Sequence, residues 1–362
     1  MKRAIALLFV ALFVTSVAWG RDDDRRIVWI TIDGLRWQEV YGGADSLLVG
    51  NQDFVSDVAA NRSRYMRATE EERREALMPF VWNTVSKMGW MAGNRHAGCY
   101  MNVTNNYNLS YPGYSEAVCG YADNERVTSN QPIDNPNENV LEVINRDSRY
   151  HGSVLCFAGW DCFPFILNAR RSGLEINAAQ CHSLSPSPTP VERMLDTLLD
   201  ETIVQFEGER DDAYTFHYAL EAMRSRHPKV LYVALCDVDE YGHHGDYASY
   251  LNAAHRVDSF IGQLWQAAQD DPFYRGRTTF IVTCDHGRGD NAGNPREWRS
   301  HGKRFAHSDE TWLIAFGEDV PARGVLTDGQ YYTCQIAHTV ARLLKVPFAP
   351  DHPGIRPAIE FK

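Results

Sequence analysis

Five stretches of the chain are apolar at nearly every position rather than at every second one. They are 26–34 (RIVWITIDG), 152–160 (GSVLCFAGW), 229–237 (KVLYVALCD), 278–287 (TTFIVTCDHG) and 310–317 (ETWLIAFG). Short runs of this kind, rich in β-branched residues and bounded by Gly or Asp, predict strands buried on both faces, as in a largely parallel sheet covered by helices on each side. Between them, 71–89, 190–208, 212–226, 248–269 and 329–346 carry helical spacing. Strands alternating with helices predict an α/β fold of three layers, α/β/α, around a largely parallel central sheet. No internal repeat is present. The segment 102–138, rich in Asn, Tyr, Gly and Pro, reads as an extended loop region. Loops of that length within a compact domain are usually functional.

The N-terminus has a different pattern. Lys2 and Arg3 precede an apolar run from Ala4 to Val14, followed by small residues at Ala18 and Gly20. That is the layout of a secretory signal peptide over 1–20, and the run falls short of the about 20 residues a membrane span needs. The expectation is export to the periplasm or the medium, no stable membrane insertion, and one domain over 21–362. With 36 basic against 47 acidic residues the net charge is −11, which argues against a partner as polyanionic as nucleic acid. A small anionic substrate stays compatible, because a bound metal reverses the local field. The eight cysteines include no CxxC pair. Cys236 and Cys284 lie in apolar runs and read as buried thiols, whereas Cys99 with Cys119, and Cys156, Cys162 and Cys181, are zones where an exported chain can form disulfides.

The chemistry gathers at strand ends. Asp33 closes the first run, Asp237 and Asp239 follow the third, and Asp285 and His286 close the fourth; glycine follows closely at Gly34, Gly242 and Gly287. In open α/β sheets this carboxyl edge is where ligands bind. A strand-end Asp alone is ordinary turn chemistry, and Asp239 with His243 alone is an i,i+4 surface pair, with Glu240 and His244 as a rival in the same register. Together they make an oxygen-and-imidazole donor set that suits zinc ahead of manganese or iron. Asp33, Asp239, His243, Asp285 and His286 exceed the four ligands of one tetrahedral zinc, and His301 and His307 follow nearby. A pair of metals holding the attacking and leaving oxygens of a displacement at phosphorus accounts for such a set.

These residues resemble the alkaline phosphatase superfamily, in particular its nucleotide pyrophosphatase/phosphodiesterase branch. The carriers are TIDG ending at Gly34, DEYGH (239–243), DHG (285–287) and HG (301–302). The resemblance implies an alkaline-phosphatase-like fold, two divalent metal ions, usually zinc, and a small-molecule phosphate ester as substrate. It implies a Ser or Thr nucleophile in the loop NLSYPGYSEAVCGY, which falls on Ser110. Asp239, His243 and His301 would hold one metal; Asp33, Asp285, His286 and Ser110 would hold the other. His301 is preferred to His307 because the branch's last ligand is followed by glycine and lies well before the next strand. An Asn about twenty residues after the nucleophile, here Asn130 with Asn135 nearby, would donate to the phosphoryl oxygens. Ser110 in place of Thr, and Gly113-Tyr114 in place of Asn-His, leave the metal ligands intact and the preference between diester and monoester open. A sulfatase pattern would need Arg where Tyr114 stands. Trp160 and Phe163 with Arg170 and Arg171 read first as core aromatics and solvated arginines, and second as a substrate wall.

Overall fold

β1 (Arg26–Ile32) is buried at every position and lies between two parallel neighbours, as its unbroken apolar run requires. The computed structural model describes residues 24–291 and 293–361; the signal peptide expected over 1–20 lies outside the described residues. In chain order the other strands are β2 (Trp90–Ala92), β3 (Tyr100–Asn102), β4 (Val154–Ala158), β5 (Glu175–Ala178), β6 (Val230–Leu235), β7 (Thr278–Thr283), β8 (Leu313–Gly317), β9 (Gly324–Val325) and β10 (Gln330–Tyr332). Eight of them form one sheet in the order β5-β4-β6-β1-β7-β8-β2-β9, and β10 pairs with β3 separately.

All five apolar runs form strands of that sheet, and four of them, β4, β6, β1 and β7, are adjacent and parallel. The fifth, β8, lies inside the sheet and runs antiparallel to both its neighbours, β7 and β2. Alternate residues feed two cores. Val28, Ile30 and Ile32 pack with Leu231, Val233, Phe280 and Val282 on one face, against the helices Asp212–Arg226 and Tyr247–Asp270. Ile27 and Trp29 pack with Val230, Tyr232 and Ile281 on the other, against Ser110–Cys119, Val140–Arg146 and Gln335–Leu343. This is the expected three-layer α/β/α arrangement, and it explains why the strands lack polar alternation.

The largest departure from the sequence pattern is in 102–138. Rather than extended loop throughout, it contains the helix Ser110–Cys119, buried at every position. Its polar residues look like turn signals in sequence but serve as internal hydrogen-bond partners. The fully buried Glu116 carboxylate accepts from the backbone N–H groups of Thr104 (2.8 Å) and Asn105 (2.9 Å), tying the loop ahead of the helix to the helix itself. Predicted helix 71–89 is interrupted: Glu70–Leu77 ends before Pro79, which lacks an N–H, and the chain resumes in a wide turn at Val81–Val85. The Asp258 carboxylate receives the N–H groups of Phe80 (2.7 Å) and Val81 (2.8 Å) there. Predicted helix 190–208 ends at Glu201, and the first residues of 329–346 go to β10, leaving Gln335–Leu343 helical. All eight cysteines are free thiols, Cys236 and Cys284 buried as their apolar surroundings indicated; neither pairing zone forms a disulfide.

Candidate metal centre and nucleophile

At the carboxyl edge of β1, β6 and β7 three segments turn toward one another. Asp33 follows β1, Asp285 and His286 follow β7, and after β6 the chain enters the helix Asp237–His244. That helix places Asp239 and His243 one turn apart on one face, with His243 Nε2 2.9 Å from Asp239 Oδ2. The rival pair points elsewhere: His244 Nδ1 engages the Glu240 carbonyl at 2.9 Å, and its ring lies against Phe206.

His301 reaches the same place from the segment after β7. Its Nε2 is 3.1 Å from His243 Nε2 and 3.9 Å from Asp239 Oδ2, and its ring stacks on His286 at 3.7 Å. His307 stands apart, half-exposed and bonded through Nδ1 to Glu310 at 2.9 Å. His286 Nε2 lies 3.2 Å from Asp33 Oδ1 and 3.3 Å from Asp285 Oδ2. Ser110 Oγ completes this second group, 3.1 Å from His286 Nε2 and 3.4 Å from Asp33 Oδ1. The structure therefore brings Asp33, Ser110, Asp239, His243, Asp285, His286 and His301 together in two adjoining groups and leaves His307 out.

The donors fit cations. Among the described residues, one ligand atom each from Asp239, His243 and His301 lie within 4.8 Å of one another, as do those of Asp33, Asp239 and His286. Each of two imidazoles has its Nδ1 occupied by a carbonyl, His301 by Asn108 (2.9 Å) and His286 by Gly287 (2.9 Å). That fixes the tautomer with a bare Nε2 facing the cluster, the usual outer-shell arrangement of metal-bound histidine. Asn108 turns its carbonyl this way from a left-handed conformation (φ 52°), two residues before Ser110. Asp285 Oδ1 accepts from Gly34 N at 3.1 Å, whereas its buried Oδ2 has no hydrogen-bond partner.

Electrostatics agree with that reading. Burial, and then the neighbouring Asp239, push Asp33 well above the usual carboxylate range; burial and Asp33 do the same to Asp285. Burial lowers His286 to about 4 and holds His301 well below the ordinary imidazole range, so both rings are neutral and ligand-ready at pH 7. Crowded acids and neutral histidines are the protein's side of a site completed by cations.

Ser110 is the first residue of its helix, the end at which the dipole favours negative charge. Leu109 provides no side-chain cap; instead Asn130, twenty residues on from Ser110, accepts from Tyr111 N at 3.0 Å and so sits beside that serine. Asn135 is spent on the fold, donating to Ser115 Oγ and the Ile166 carbonyl. The departures from the branch's pattern after the serine also have physical roles. A side chain at Gly113 would collide with the Asp285 backbone (2.3 Å from a Cβ), so glycine lets the helix close on the β7 end. Tyr114, at the position where a sulfatase pattern needs Arg, is buried close to Asp33. Of the aromatic segment's first reading, Phe163 is core, packed on Tyr114 at 4.8 Å, whereas Arg171 is not a solvated charge but pairs with the buried Glu142.

One contributor was not marked in the sequence: Arg288, two residues after His286, is buried and paired with Asp239. A third acidic group, Asp212, Cys236 and Asp237, is closed by the protein itself. Asp212 accepts from Cys236 N (2.7 Å) and Asp237 N (3.3 Å), Asp237 accepts from Asp212 N (3.2 Å), and Arg256 pairs with Asp237.

Comparison with solved structures matches the fold. A phosphonate monoester hydrolase from Silicibacter pomeroyi superposes with a TM-score of 0.56 at 14% identity, covering 91% of this chain and 75% of that one. Murine ectonucleotide pyrophosphatase / phosphodiesterase 5 in complex with AMP gives 0.53 at 11% identity, covering 91% and 97%. The lipoteichoic acid synthase LtaP from Listeria monocytogenes gives 0.57 at 10%, covering 93% and 75%. Among curated proteins, a 2,3-bisphosphoglycerate-independent phosphoglycerate mutase of Gloeobacter violaceus is 28% identical over 148 residues, 38% of this chain and 25% of the mutase. The chain thus matches about a quarter of the length of those curated relatives. The model of the type I phosphodiesterase / nucleotide pyrophosphatase family matches residues 48–315, a span that holds every candidate site residue but Asp33. By that match, over more than half its length, the chain belongs to the type I phosphodiesterase / nucleotide pyrophosphatase family.

Proposed function

We propose that this protein is an exported, metal-dependent phosphodiesterase that cleaves small-molecule phosphate esters with Ser110 as nucleophile. The observation that carries the reading is the meeting of a helix-start serine with two adjoining Asp/His groups, Ser110 Oγ standing 3.1 Å from His286 Nε2. Asp239, His243 and His301 would hold one ion and Asp33, Asp285, His286 and Ser110 the other, with zinc the ion that best suits these donors. Bound there, divalent ions supply the positive charge that activates a hydroxyl and offsets the phosphoryl oxygens.

The chain's own residues do the rest. Ser110 Oγ attacks phosphorus in line and the ester oxygen departs on the opposite side; water then hydrolyses the phosphoserine and restores the hydroxyl. The N-terminal end of the helix dipole, at Ser110, favours the incoming anion. Asn130, held beside Ser110 by its bond to Tyr111 N, offers Nδ2 to a phosphoryl oxygen. The family membership and the net charge of −11 both favour a small ester over a nucleic-acid polymer. Export rests on the pattern of 1–20; among the described residues no helix is long and apolar enough to cross a membrane.

Cleavage of monoesters is the second reading, favoured by the local likeness to phosphoglycerate mutases. One experiment separates them: metal content of the purified protein, with hydrolysis of bis-p-nitrophenyl phosphate and p-nitrophenyl phosphate measured side by side. The expected result is about two zinc ions per chain and faster diester cleavage. Faster monoester cleavage selects the second reading, and no turnover of either after zinc addition refutes both.

A further inference from the structure

Arg288 lies two residues beyond His286, and its guanidinium is spent on fixed partners. Nε donates to the Trp298 carbonyl at 2.7 Å, Nη2 to the Arg299 carbonyl at 2.6 Å, and Nη1 to Asp239 Oδ1. Its side chain is 1% exposed, so it belongs to the interior and not to a solvated turn. Two glycines leave room for it. A Cβ on Gly242 would stand 2.6 Å from the guanidinium carbon, and one on Gly34, where φ is +58°, would stand 2.8 Å from Nη1 and 2.1 Å from Asp239 Oδ1. Those glycines follow Asp33 and precede His243 directly.

The contacts have a shared consequence. Arg288 is joined through the chain to Asp285–His286, through an ion pair to Asp239, and through two carbonyls to the segment that delivers His301 two residues later. Its pairing with Oδ1 leaves Asp239 Oδ2 facing His243 at 2.9 Å and His301 at 3.9 Å. A guanidinium aims its donors in fixed, coplanar directions, which an ammonium cannot do.

We propose that Arg288 is a positioning residue that assembles the Asp239–His243–His301 trio and presents a single oxygen of Asp239 to the ion held there. This rests on the metal reading above. Removing the fork while keeping the charge, as in Arg288→Lys, should loosen that trio, because among the described residues Asp33 and Asp285 share no hydrogen bond or ion pair with the guanidinium.

The test is calorimetric titration of zinc into metal-stripped protein, wild type against Arg288→Lys, with circular dichroism of the zinc-free forms and the cobalt(II) absorption spectrum as independent readouts. The expected result is two zinc equivalents in wild type, one of them weakened about 10–100-fold in Arg288→Lys, the other unchanged, and an altered cobalt spectrum. Gly242→Ala is the second variant: it keeps the arginine, suits the helix it lies in, and crowds the guanidinium off its partners, so it should weaken the same equivalent even if Arg288→Lys does not fold. Wild-type affinity at both equivalents in either folded variant overturns the proposal while leaving the metal reading intact. A wild-type protein that takes up no zinc overturns both.

Discussion

Two acidic clusters share the carboxyl edge of this sheet, and they have opposite characters. Around Asp212, Cys236 and Asp237 the carboxylates are met by backbone N–H groups and by Arg256. Around Asp33, Asp239 and Asp285, two histidine Nε2 atoms face each other at 3.1 Å and a buried carboxylate oxygen is unpartnered. Composition does not separate them, since both offer acids and a soft or aromatic donor. Hydrogen-bond satisfaction does: a cluster whose acceptors are filled by the chain is architecture, and one whose acceptors are left open expects a cation.

The comparison can be broken experimentally. The largest effect is expected at the nucleophile: Ser110→Ala should lower kcat by at least about 10³-fold while its zinc titration still shows binding. Undiminished turnover would remove Ser110 from its role. Next, Asp239→Ala should lose zinc and activity together, whereas Asp212→Asn should keep both, as measured by metal analysis of the purified variants. Equal zinc loss in the two would erase the distinction between the clusters.

Removal of metal by a chelator should lower the melting temperature of wild type and of Asp212→Asn alike, since a ligand that binds only the native state stabilises it. A chelator-insensitive wild type would argue against the open cluster's being a metal site. Asp212→Asn itself should cost about 1–3 kcal/mol, because an amide leaves one of two backbone N–H groups without an acceptor.

That cost should depend on pH. Burial pushes the Asp212 carboxyl up to about 7, above its unfolded value of about 3.9. A raised pKa contributes stability that is complete below about 4 and is lost as pH rises through about 7. The gap between wild type and Asp212→Asn should therefore narrow from pH 5 to pH 8 in thermal melts; a gap that widens would contradict the sign. The smallest effect is expected at His307→Ala, half-exposed and outside both clusters: within about 0.5 kcal/mol, with zinc content unchanged. His301→Ala should lose zinc under the same conditions.

Much of the fold was legible in the chain because buried parallel strands need apolar residues on both faces, and 26–34, 152–160, 229–237 and 278–287 read that way directly. β8 was legible as a strand too, but its antiparallel direction was not, since strand direction leaves no mark on an apolar run. The candidate ligands were legible because strand ends converge in such sheets, which made Asp33, Asp239 and Asp285 meaningful before any contact was known. The helix at Ser110–Cys119 was hidden for an opposite reason: Thr104 and Asn105 ahead of it look like turn chemistry and are hydrogen-bond partners of the buried Glu116 within it.

The sequence by itself determined the layering and the donor types at the strand ends, because these follow from local apolar pattern and residue chemistry; Ser110 entered through the family resemblance. Only the tertiary structure decided which acids remain open, that His301 joins His243 while His307 turns to Glu310, and that Arg288 is buried against Asp239. The physical reason is that satisfaction of a polar group depends on partners far away in the chain. Arg288 and Asp239 are 49 residues apart, and Ser110 and His286 are 176 apart, distances over which no local pattern carries information.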